Sequence, residues 1–539
     1  MPPQTMSIKN VINLADEAAL GIRLVWRLSS FLKNPFSPDQ AKKLIRDRLE
    51  NRENDFLSLA KKNIYERPDS PYLVLLENAG CEWGDLQKLV HSNGLESCLQ
   101  ELYRSGVYLT SEEFRGQREM RRGSISFQVH PNQLRNPFAR RDIPTRSSGS
   151  RSHGTQVIRD LAFVRDNTAC LVAFLDARRS FSSEMASWSV PGGVTLSTLV
   201  KFYCAGIPPS RWFSQIDTSA RELSARYRLS HHVVRLSGVL AGVRIPPSRY
   251  VSLEEPLPIL HWMRDCLRNG KMPHLFTFSS SAVRLAQYAV EAGFDLEGAQ
   301  LTVSGEPVTQ ARMDTIRNSG ADVLPAMGCV ELGHVADGCL KPEAPDDMHI
   351  IKDLLAVIQP GGSDAAQDLP PQALLFTSLR PTTPLIILNV SMGDHAVITR
   401  RSCGCPLDTL GYDTHIQYVR SFEKLTSGGM AFLDTEIIRI LDVDLPGMFG
   451  GGPTDYQLLE EESGDGTPRL RLVVHPRVGP LDDEDVKKAF LKLIGSGPGA
   501  EKLTSLLWKA SSMVSVDRAV PQTTSTGKIH HMHVNHKKG

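Results

Sequence analysis

The sequence predicts an α/β protein with a large layered core, because short apolar runs alternate with stretches of helical spacing. Four runs have the length and composition of buried strands, at 301–303, 323–327, 373–376 and 385–390. A helical pattern over 309–319 separates the first two runs. Strands separated by helices form a sheet that helices cover, so we expect an α/β class for the core.

The length and composition are those of a multidomain globular protein. The 539 residues are enough for about three domains. Hydrophobic residues make up 41% and charged residues 22%, so the chain can bury several cores without a metal or a disulfide. We expect a mainly helical N-terminal region over 1–125, the α/β core over 126–415 and a small α+β domain over 416–539.

Two stretches of the N-terminal region have clear helical patterns. Ser37 suits an N-cap and Pro38 a first helical residue, and charged and apolar residues then alternate through Leu59. A second helical stretch covers 82–102. Neither stretch contains residue types that indicate chemistry, so we expect both to serve packing.

The C-terminal region combines helical and strand patterns. Residues 433–445 predict a helix, and 456–460 and 469–474 predict two strands. An amphipathic helix is expected over 482–494, capped by Asp482 or by its neighbour. This mixture predicts a separate, small α+β unit.

The charge balance gives no general attraction to polyanions. There are 61 basic and 60 acidic side chains, so no global field favours DNA, RNA or an anionic membrane. Arginines are concentrated over 118–151, which indicates either a solvated connector or a cationic loop near a polyphosphate. A nucleic-acid-binding protein acting through this stretch is a third interpretation, which the neutral net charge and the lack of a binding motif disfavour.

Cysteine usage and the N-terminus favour a cytoplasmic protein. Nine cysteines, an odd number, are typical of free thiols in a reducing compartment. The apolar stretch over 11–32 is interrupted by Asp16, Glu17, Arg23 and Arg27. These charges predict an amphipathic helix on the protein body and disfavour a membrane span.

A loop over 147–155 is rich in Ser, Gly and Thr. Such a loop lets backbone amides and hydroxyls converge on phosphate oxygens, although many loops of this composition are only flexible connectors. The candidate phosphate-binding residues are Ser147, Ser148, Gly149 and Ser150.

Two further candidate segments each follow a predicted strand. Gly305, Glu306 and Pro307 come after the run 301–303, and Gly328 and Glu331 come at the end of the next run. Ligands of open α/β sheets bind beyond the carboxyl ends of the strands. A carboxylate such as Glu331 can hold Mg²⁺ there, or it can be an ordinary surface carboxylate.

A third segment, 524–528, is a short Thr/Ser-Gly turn that ends in Lys528. A lysine on a turn is a mobile point charge that suits a developing negative charge. The alternative is a solvated lysine near the chain end.

These segments occur in a recognisable order along the chain. The motif S/T-S-G-T-T-G-x-P matches 147–154, G-A/G-E-P matches 304–307, and Y-G-x-T-E matches 327–331. The motif T-G-D matches 392–394, the hinge G-R-x-D-D matches 420–424, and T-x-S/T-G-K matches 524–528. In this order they resemble the adenylate-forming superfamily of acyl-CoA synthetases, in particular phenylacetate-CoA ligases and the acyl-protein synthetases of bioluminescent bacteria.

The resemblance implies a two-step reaction that uses ATP and Mg²⁺. A carboxylic acid attacks the α-phosphate of ATP to give acyl-AMP, and a thiol of CoA, a carrier protein or a protein cysteine then takes the acyl group. It implies catalytic roles for Lys528, Glu331 and Arg420, and ribose binding by Asp394. It also implies that the C-terminal domain is mobile and rotates between the two steps.

The chain departs from the family motifs at several positions. Ser152 and His153 stand where Gly-Lys or Gly-Arg is common, and Met327 replaces the tyrosine on the adenine side. Val330 removes a hydroxyl from the phosphate site. Glu331, Asp394, Arg420 and Lys528 are retained. We therefore favour an active ligase, with a non-catalytic nucleotide- or acyl-binding relative as the alternative.

Cys339, His349, Cys403 and Cys405 form a candidate zinc site. Three thiolates and one imidazole are a regular tetrahedral set for Zn²⁺. The Cys-x-Cys spacing is tighter than usual, so four ordinary loop residues are the alternative. The phenylacetate-CoA ligase branch resembles this arrangement in the order of its cysteines and histidine.

Overall fold

The computed structural model describes most of the chain. The described residues are 27–28, 31–146, 156–190, 192–216, 238–239, 242–361, 369–421, 425–427, 430–432, 434–462, 468–494, 514–524 and 527–535. The predicted N-terminal amphipathic helix over 11–32 therefore lies almost entirely outside the described residues. None of the helices in this part of the chain is both long and apolar enough to cross a membrane.

Within the described residues, twelve strands form one mixed sheet, in the order β13-β14-β15-β16-β12-β11-β10-β9-β8-β5-β6-β7. These strands are β5 (Glu184–Ser189), β6 (Arg211–Ser214), β7 (Ser248–Tyr250), β8 (Pro273–Phe278), β9 (Gln300–Ser304), β10 (Asp322–Cys329), β11 (Gly333–Gly338), β12 (Met348–Ile350), β13 (Leu355–Ile358), β14 (Ala373–Ser378), β15 (Val390–Arg400) and β16 (Thr414–Ser421). Short strand pairs lie outside this sheet: β1 (Met120–Arg122) with β2 (Ile125–Phe127), β3 (Ile143–Arg146) with β4 (Gln156–Arg159), and β17 (Leu425–Ser427) with β18 (Met430–Phe432).

The large sheet has a parallel half and an antiparallel half. From β10 through β9, β8, β5 and β6 to β7, each neighbouring pair is parallel. From β10 in the other direction, every pair out to β13 is antiparallel. The predicted α/β class is confirmed by this sheet and by the helices between its parallel strands.

The helices are α1 (Pro38–Glu50), α2 (Arg52–Ala60), α3 (Pro71–Asn78), α4 (Trp83–Asn93), α5 (Leu95–Arg104), α6 (Ser111–Phe114), α7 (Leu161–Ala177), α8 (Gly193–Cys204), α9 (Leu257–Arg268), α10 (Ser279–Glu291), α11 (Gln310–Arg317), α12 (Asp434–Arg439), α13 (Leu445–Phe449) and α14 (Asp483–Ile494). Ser37 caps α1 by accepting from Gln40 N at 3.2 Å, as its position predicts. The helical stretch predicted over 82–102 is confirmed as two helices, because Gly94 at φ +80° separates α4 from α5.

The strand expected over 385–390 is also wrong for all but its last residue. Leu385, Ile386 and Ile387 are at most 5% exposed, yet they form a buried loop before β15. Their backbone groups are bonded individually, with Ile386 N donating to Leu134 O at 2.7 Å. An apolar run shows burial and does not by itself distinguish a strand from a loop.

The N-terminal helices pack on the antiparallel half of the sheet. Side chains such as Phe56 and Leu99 share one hydrophobic cluster with Phe376 of β14 and Val390 of β15. The buried Asn389 side chain connects the two layers by donating to Leu99 O at 2.8 Å. The N-terminal helices therefore pack on the antiparallel half of the large sheet and share its hydrophobic core.

A smaller unit follows the large sheet. Its four-stranded sheet has the order β21-β20-β19-β22, with β19 (Tyr456–Glu462), β20 (Pro468–Val474), β21 (Val514–Arg518) and β22 (Met532–Asn535). Helix α14 packs on it, and Asp482 caps this helix by accepting from Glu484 N at 2.9 Å. The predicted pair of strands and the amphipathic helix of the α+β unit are confirmed, while the domain boundaries stay a prediction.

Candidate active site

Three parallel strands end at the same edge of the large sheet. Helix α10 begins directly after β8, Gly305 and Glu306 follow β9, and Glu331 follows β10. Because parallel strands share their carboxyl-terminal edge, these segments lie side by side. This edge is where open α/β sheets place their ligands.

Glu306 connects two of these segments. Its carboxylate accepts from Ser280 N at 2.6 Å and from the Ser280 hydroxyl at 2.9 Å, and its side chain is only 1% exposed. Arg312 of α11 lies 3.6 Å away. Arg312 also donates to Pro307 O at 3.4 Å. The first turn of α10 is therefore fixed to the Gly-Glu-Pro segment by a buried charge.

Lys528 reaches this edge from the small unit. Its ammonium lies 5.5 Å from the ring centroid of Phe278 at the end of β8. Gly305 has φ +81°, and a Cβ there would lie 2.9 Å from Lys528 Cε and 3.0 Å from Nζ. The lysine thus lies directly over a glycine in a conformation that few other residues adopt.

Two carboxylates act on the charge of Lys528. Burial lowers the pKa of Lys528, and the carboxylates of Glu306 and Asp394 oppose this effect by attracting the ammonium. One carboxylate from the segment after β9 and one from β15 therefore act on a lysine that comes from the small unit.

The turn that carries Lys528 is itself held by the core. Thr524 N donates to Lys528 O at 2.8 Å, which closes the turn. Gly527 has φ +80°, and a Cβ there would lie 2.0 Å from Gln215 Oε1. Ile529 N donates to the Ser280 hydroxyl at 3.3 Å. Only a glycine at 527 lets this turn approach the large sheet so closely.

Arg312 also joins the two units. Besides Glu306, its guanidinium bonds Asp442 Oδ2 at 3.0 Å and lies 2.9 Å from His531 Nε2. Asp442 accepts in addition from Thr309 Oγ1 at 3.0 Å. Burial favours the neutral acid, but Arg312 and His531 hold the pKa of Asp442 below its usual range. One buried arginine thus links the Gly-Glu-Pro segment to the small unit.

Arg420 and Asp394 lie on adjacent strands. Asp394 of β15 is the register partner of Ser421, and Arg420 is the partner of His395. The Arg420 guanidinium donates to Asp346 Oδ2 at 2.9 Å. It also borders a cavity of about 310 Å³ between the sheet and helix α12. Arg420 is therefore fixed by Asp346, while Asp394 acts on Lys528.

Glu331 and Gly328 belong to a neighbouring group around Arg159. Glu331 is 7% exposed and interacts electrostatically with Arg159, which donates to Cys329 O at 3.0 Å and Val330 O at 3.1 Å. Gly328 lies at a β-bulge, where a Cβ would be 2.7 Å from Gly333 O. The structure groups Glu331 with Arg159, and it gathers Gly305, Glu306 and Asp394 at Lys528.

Some candidate residues lie outside the described part of the chain. These are the phosphate-loop candidates Ser147, Ser148, Gly149 and Ser150, with the remainder of 147–155, and the hinge residues 422–424. Their placement at the site stays a prediction.

The four candidate zinc ligands come together between two strands and a loop. Cys339 follows β11, His349 lies in β12, and Cys403 and Cys405 lie between β15 and β16. Their ligand atoms are all within 4.8 Å of one another. His349 Nε2 is 3.2 Å from Cys405 Sγ and 3.7 Å from Cys403 Sγ.

The surroundings of this cluster fit a tetrahedral metal. His349 Nδ1 lies 2.6 Å from Tyr412 O, which sets the tautomer so that the Nε2 lone pair faces the thiols. Interactions with the Cys339 thiol and with His349 lower the pKa of the Cys405 thiol, although burial opposes them. A donor set of three thiols and one imidazole is the one that structural Zn²⁺ prefers.

Sequence reasoning missed several residues that shape both sites. Ser280 lies in the first turn of α10, Gln215 directly follows β6, and Arg159 is the last residue of β4. Their positions after apolar runs are a signal, but it is shared by many residues. His415, whose Nδ1 lies 2.8 Å from Asp347 Oδ1 beside the four candidate zinc ligands, has no local signal in the sequence.

Comparison with known proteins gives a result only at the level of structure. No family description matches the sequence, and the comparison with curated proteins finds no match. Solved structures that resemble the chain include CoA ligases. A 2-hydroxyisobutyryl-CoA ligase in its postadenylation state is 14% identical with a TM-score of 0.48, covering 93% of this chain and 91% of that one.

Two further solved structures are similar to the chain, with lower TM-scores. An anthranilate CoA ligase in complex with anthranoyl-AMP is 11% identical with a TM-score of 0.40, covering 76% of this chain and 68% of that one. The O-succinylbenzoate coenzyme A synthetase of Bacillus subtilis is 13% identical with a TM-score of 0.35, over 64% and 62% of the two chains. These identities are low, so the chain's own residues must carry any functional assignment.

Proposed function

We propose that this protein activates a carboxylic acid with ATP as an acyl-adenylate and then transfers the acyl group to a thiol. One observation carries the proposal. Lys528 of the small unit lies over Gly305 at the carboxyl-terminal edge of the large sheet, beside Glu306 and Asp394. A cation that a second unit inserts at this edge is suited to a reaction that builds negative charge on a phosphate.

In the first step, a carboxylate oxygen of the acid attacks the α-phosphorus of ATP. A new P–O bond forms, the bond from the α-phosphorus to the bridging oxygen breaks, and pyrophosphate leaves with that electron pair. Lys528 stabilises the charge on the α-phosphate as a point cation. Asp394 would accept hydrogen bonds from ribose hydroxyls, and the loop 147–150 would bind the departing phosphates.

Glu331 is the carboxylate that would hold Mg²⁺, which offsets phosphate charge when it is bound. Glu331 is buried and its near cation is Arg159, whose guanidinium is engaged by the carbonyls of Cys329 and Val330. We expect this carboxylate to bind the ion at the carboxyl-terminal edge of the sheet.

In the second step, a thiolate attacks the acyl carbonyl carbon. The C–S bond forms, the bond to the AMP oxygen breaks, and AMP leaves. Lys528 serves only the first step, so withdrawal of the small unit about residues 420–424 would clear its place for the thiol. CoA, a carrier-protein pantetheine or a protein cysteine would supply the thiol, and the free cysteines fit a cytoplasmic setting.

The test is ATP–pyrophosphate exchange with a panel of aryl and aliphatic acids. Acid-dependent exchange should fall by about 10²–10³ in Lys528→Ala, as when a single charge-stabilising donor is removed. Lys88→Ala is the control, because Lys88 is 81% exposed on α4. Exchange that survives in Lys528→Ala, or ATP binding without exchange for every acid, would favour a non-catalytic nucleotide-binding relative.

A further inference from the structure

Helix α8 leads from the lysine turn into the protein. Its first turn follows Val190, whose Cγ2 would lie 2.7 Å from a Cβ on Gly527, next to Lys528. Val194 in that first turn is 45% exposed. Lys201 lies seven residues further along the same helix, which is about 10 Å along its axis.

Two polar side chains share one face of this helix. Ser197 and Lys201 are four residues apart, a spacing that puts both on the same side of a helix. Ser197 is 2% exposed, and its hydroxyl has no hydrogen-bond partner in the described part of the chain. A buried hydroxyl without a partner costs free energy unless a ligand or water completes it.

Lys201 is surrounded by protein but makes no close ion pair with any residue that the structure describes. Asp337 attracts its ammonium, yet Asp337 Oδ1 already lies 2.7 Å from His334 Nε2. Burial, together with repulsion from Arg159, lowers the pKa of Lys201 to about 8. The side chain remains partly accessible, and it is still mainly a cation at neutral pH.

We infer that Lys201 and Ser197 form the distal end of the acid-binding site and select an acid that carries a second anionic group, such as a dicarboxylate. This inference rests on the proposed function. The carboxylate to be activated would lie near Lys528, and the second group would bind Lys201 about two helical turns away. An acid whose second group is anionic gains binding free energy by pairing with the Lys201 ammonium. An acid without such a group leaves the ammonium unpaired and is therefore disfavoured.

The experiment compares matched acids in ATP–pyrophosphate exchange. Suberate is measured against octanoate, and sebacate against decanoate, in the full-length protein and in Lys201→Met, Lys201→Arg and Ser197→Ala. We expect the dicarboxylate of each pair to be preferred at least about tenfold in kcat/KM, the effect of one charged partner. In Lys201→Met this ratio should fall at least about tenfold and the monocarboxylate should be used better, because the buried ammonium is gone.

The variants separate charge from folding. Lys201→Arg should keep the preference, Ser197→Ala should reduce it a few-fold, and Lys88→Met should leave it unchanged.

Suberate should raise the Tm of the unmodified protein more than octanoate does, and this difference should vanish in Lys201→Met. Lys528-dependent exchange without a dicarboxylate preference, or with a preference that survives in Lys201→Met, would overturn this inference alone. No Lys528-dependent exchange with any acid would overturn the proposed function as well.

Discussion

Gly305 has no side chain, and this lets the Lys528 ammonium come close to the edge of the large sheet. Its positive φ and the closeness of Lys528 Cε both exclude a Cβ, although the lysine tip can move away. The glycine therefore fixes how near the cation comes to the sheet edge. The stability of the fold depends on it less, because the contact is with the flexible end of a side chain.

We therefore expect Gly305→Ala to displace Lys528 and to lower ATP–pyrophosphate exchange at least about tenfold while the protein stays folded. Gly80→Ala is the matched control, since Gly80 also has a positive φ but no atom within 4 Å of its added Cβ. Both variants should lose about 1 kcal/mol of stability from backbone strain in denaturant melts. Equal exchange rates in the two variants would argue against a role for the contact.

The charge of Lys528 gives a pH dependence with a defined sign. Burial lowers its pKa, so the ammonium is lost at a lower pH than in an exposed lysine, and adenylation should decline as pH rises through that value. The Glu306 carboxylate raises the pKa of Lys528. Glu306→Gln should therefore move the alkaline limb of the kcat profile for exchange to lower pH. An unmoved limb, or one shifted to higher pH, would contradict this electrostatic coupling.

At the scale of elements, strand order explains the metal cluster. Strand β12 lies between β11 and β16, so His349 is brought next to Cys339 and to the loop that carries Cys403 and Cys405. The cluster ties the ends of three neighbouring strands in the antiparallel half of the sheet. A metal there would contribute to folding because the ligands gather only in the native state.

We expect one Zn²⁺ per chain by elemental analysis, which strong chelators remove. Cys405→Ser should lower both the zinc content and the Tm, the latter by at least about 5 °C. Cys266→Ser removes a buried thiol from α9, outside the cluster, and should keep the metal. A purified protein with no zinc at full stability would show that the four residues are ordinary loop residues.

At the scale of the whole molecule, buried charges hold the small unit against the sheet. Arg312 bonds Asp442 next to His531, and Arg284 of α10 lies 3.3 Å from Asp455. These pairs stabilise the arrangement in which Lys528 is at the site. If the small unit withdraws in the second step, as we propose, these pairs break and their charges become exposed to water.

Asp442→Asn should weaken this arrangement, because the buried Arg312 loses the anion of the small unit and keeps only Glu306 of the large sheet. ATP–pyrophosphate exchange should fall about tenfold or more, whereas thioester formation from added acyl-AMP should be preserved. Single-turnover measurements of the two half-reactions test this. Equal losses in both half-reactions would show that Asp442 serves overall stability and does not act on one state of the small unit.

Local pattern was sufficient for many elements and for the identity of the candidate groups. The cap at Ser37, the strands around 301–303 and 323–327, and the helix after Asp482 follow from residue spacing and capping chemistry. The same pattern failed at 385–389, where an apolar run is buried without forming a strand. It also did not show that Gly94 divides the helical stretch over 82–102 into two helices.

The sequence by itself determined the fold class, the position of the edge where strands end in polar residues, and the residue types at Lys528 and the cysteines. Only the tertiary structure decided that Lys528 lies over Gly305, that Arg420 is held by Asp346, and that Lys201 makes no close ion pair with any described residue. The physical reason is that capping and periodicity act over a few residues. Charge pairing and close approach depend on residues such as 305 and 528, which only the packing of two units brings together.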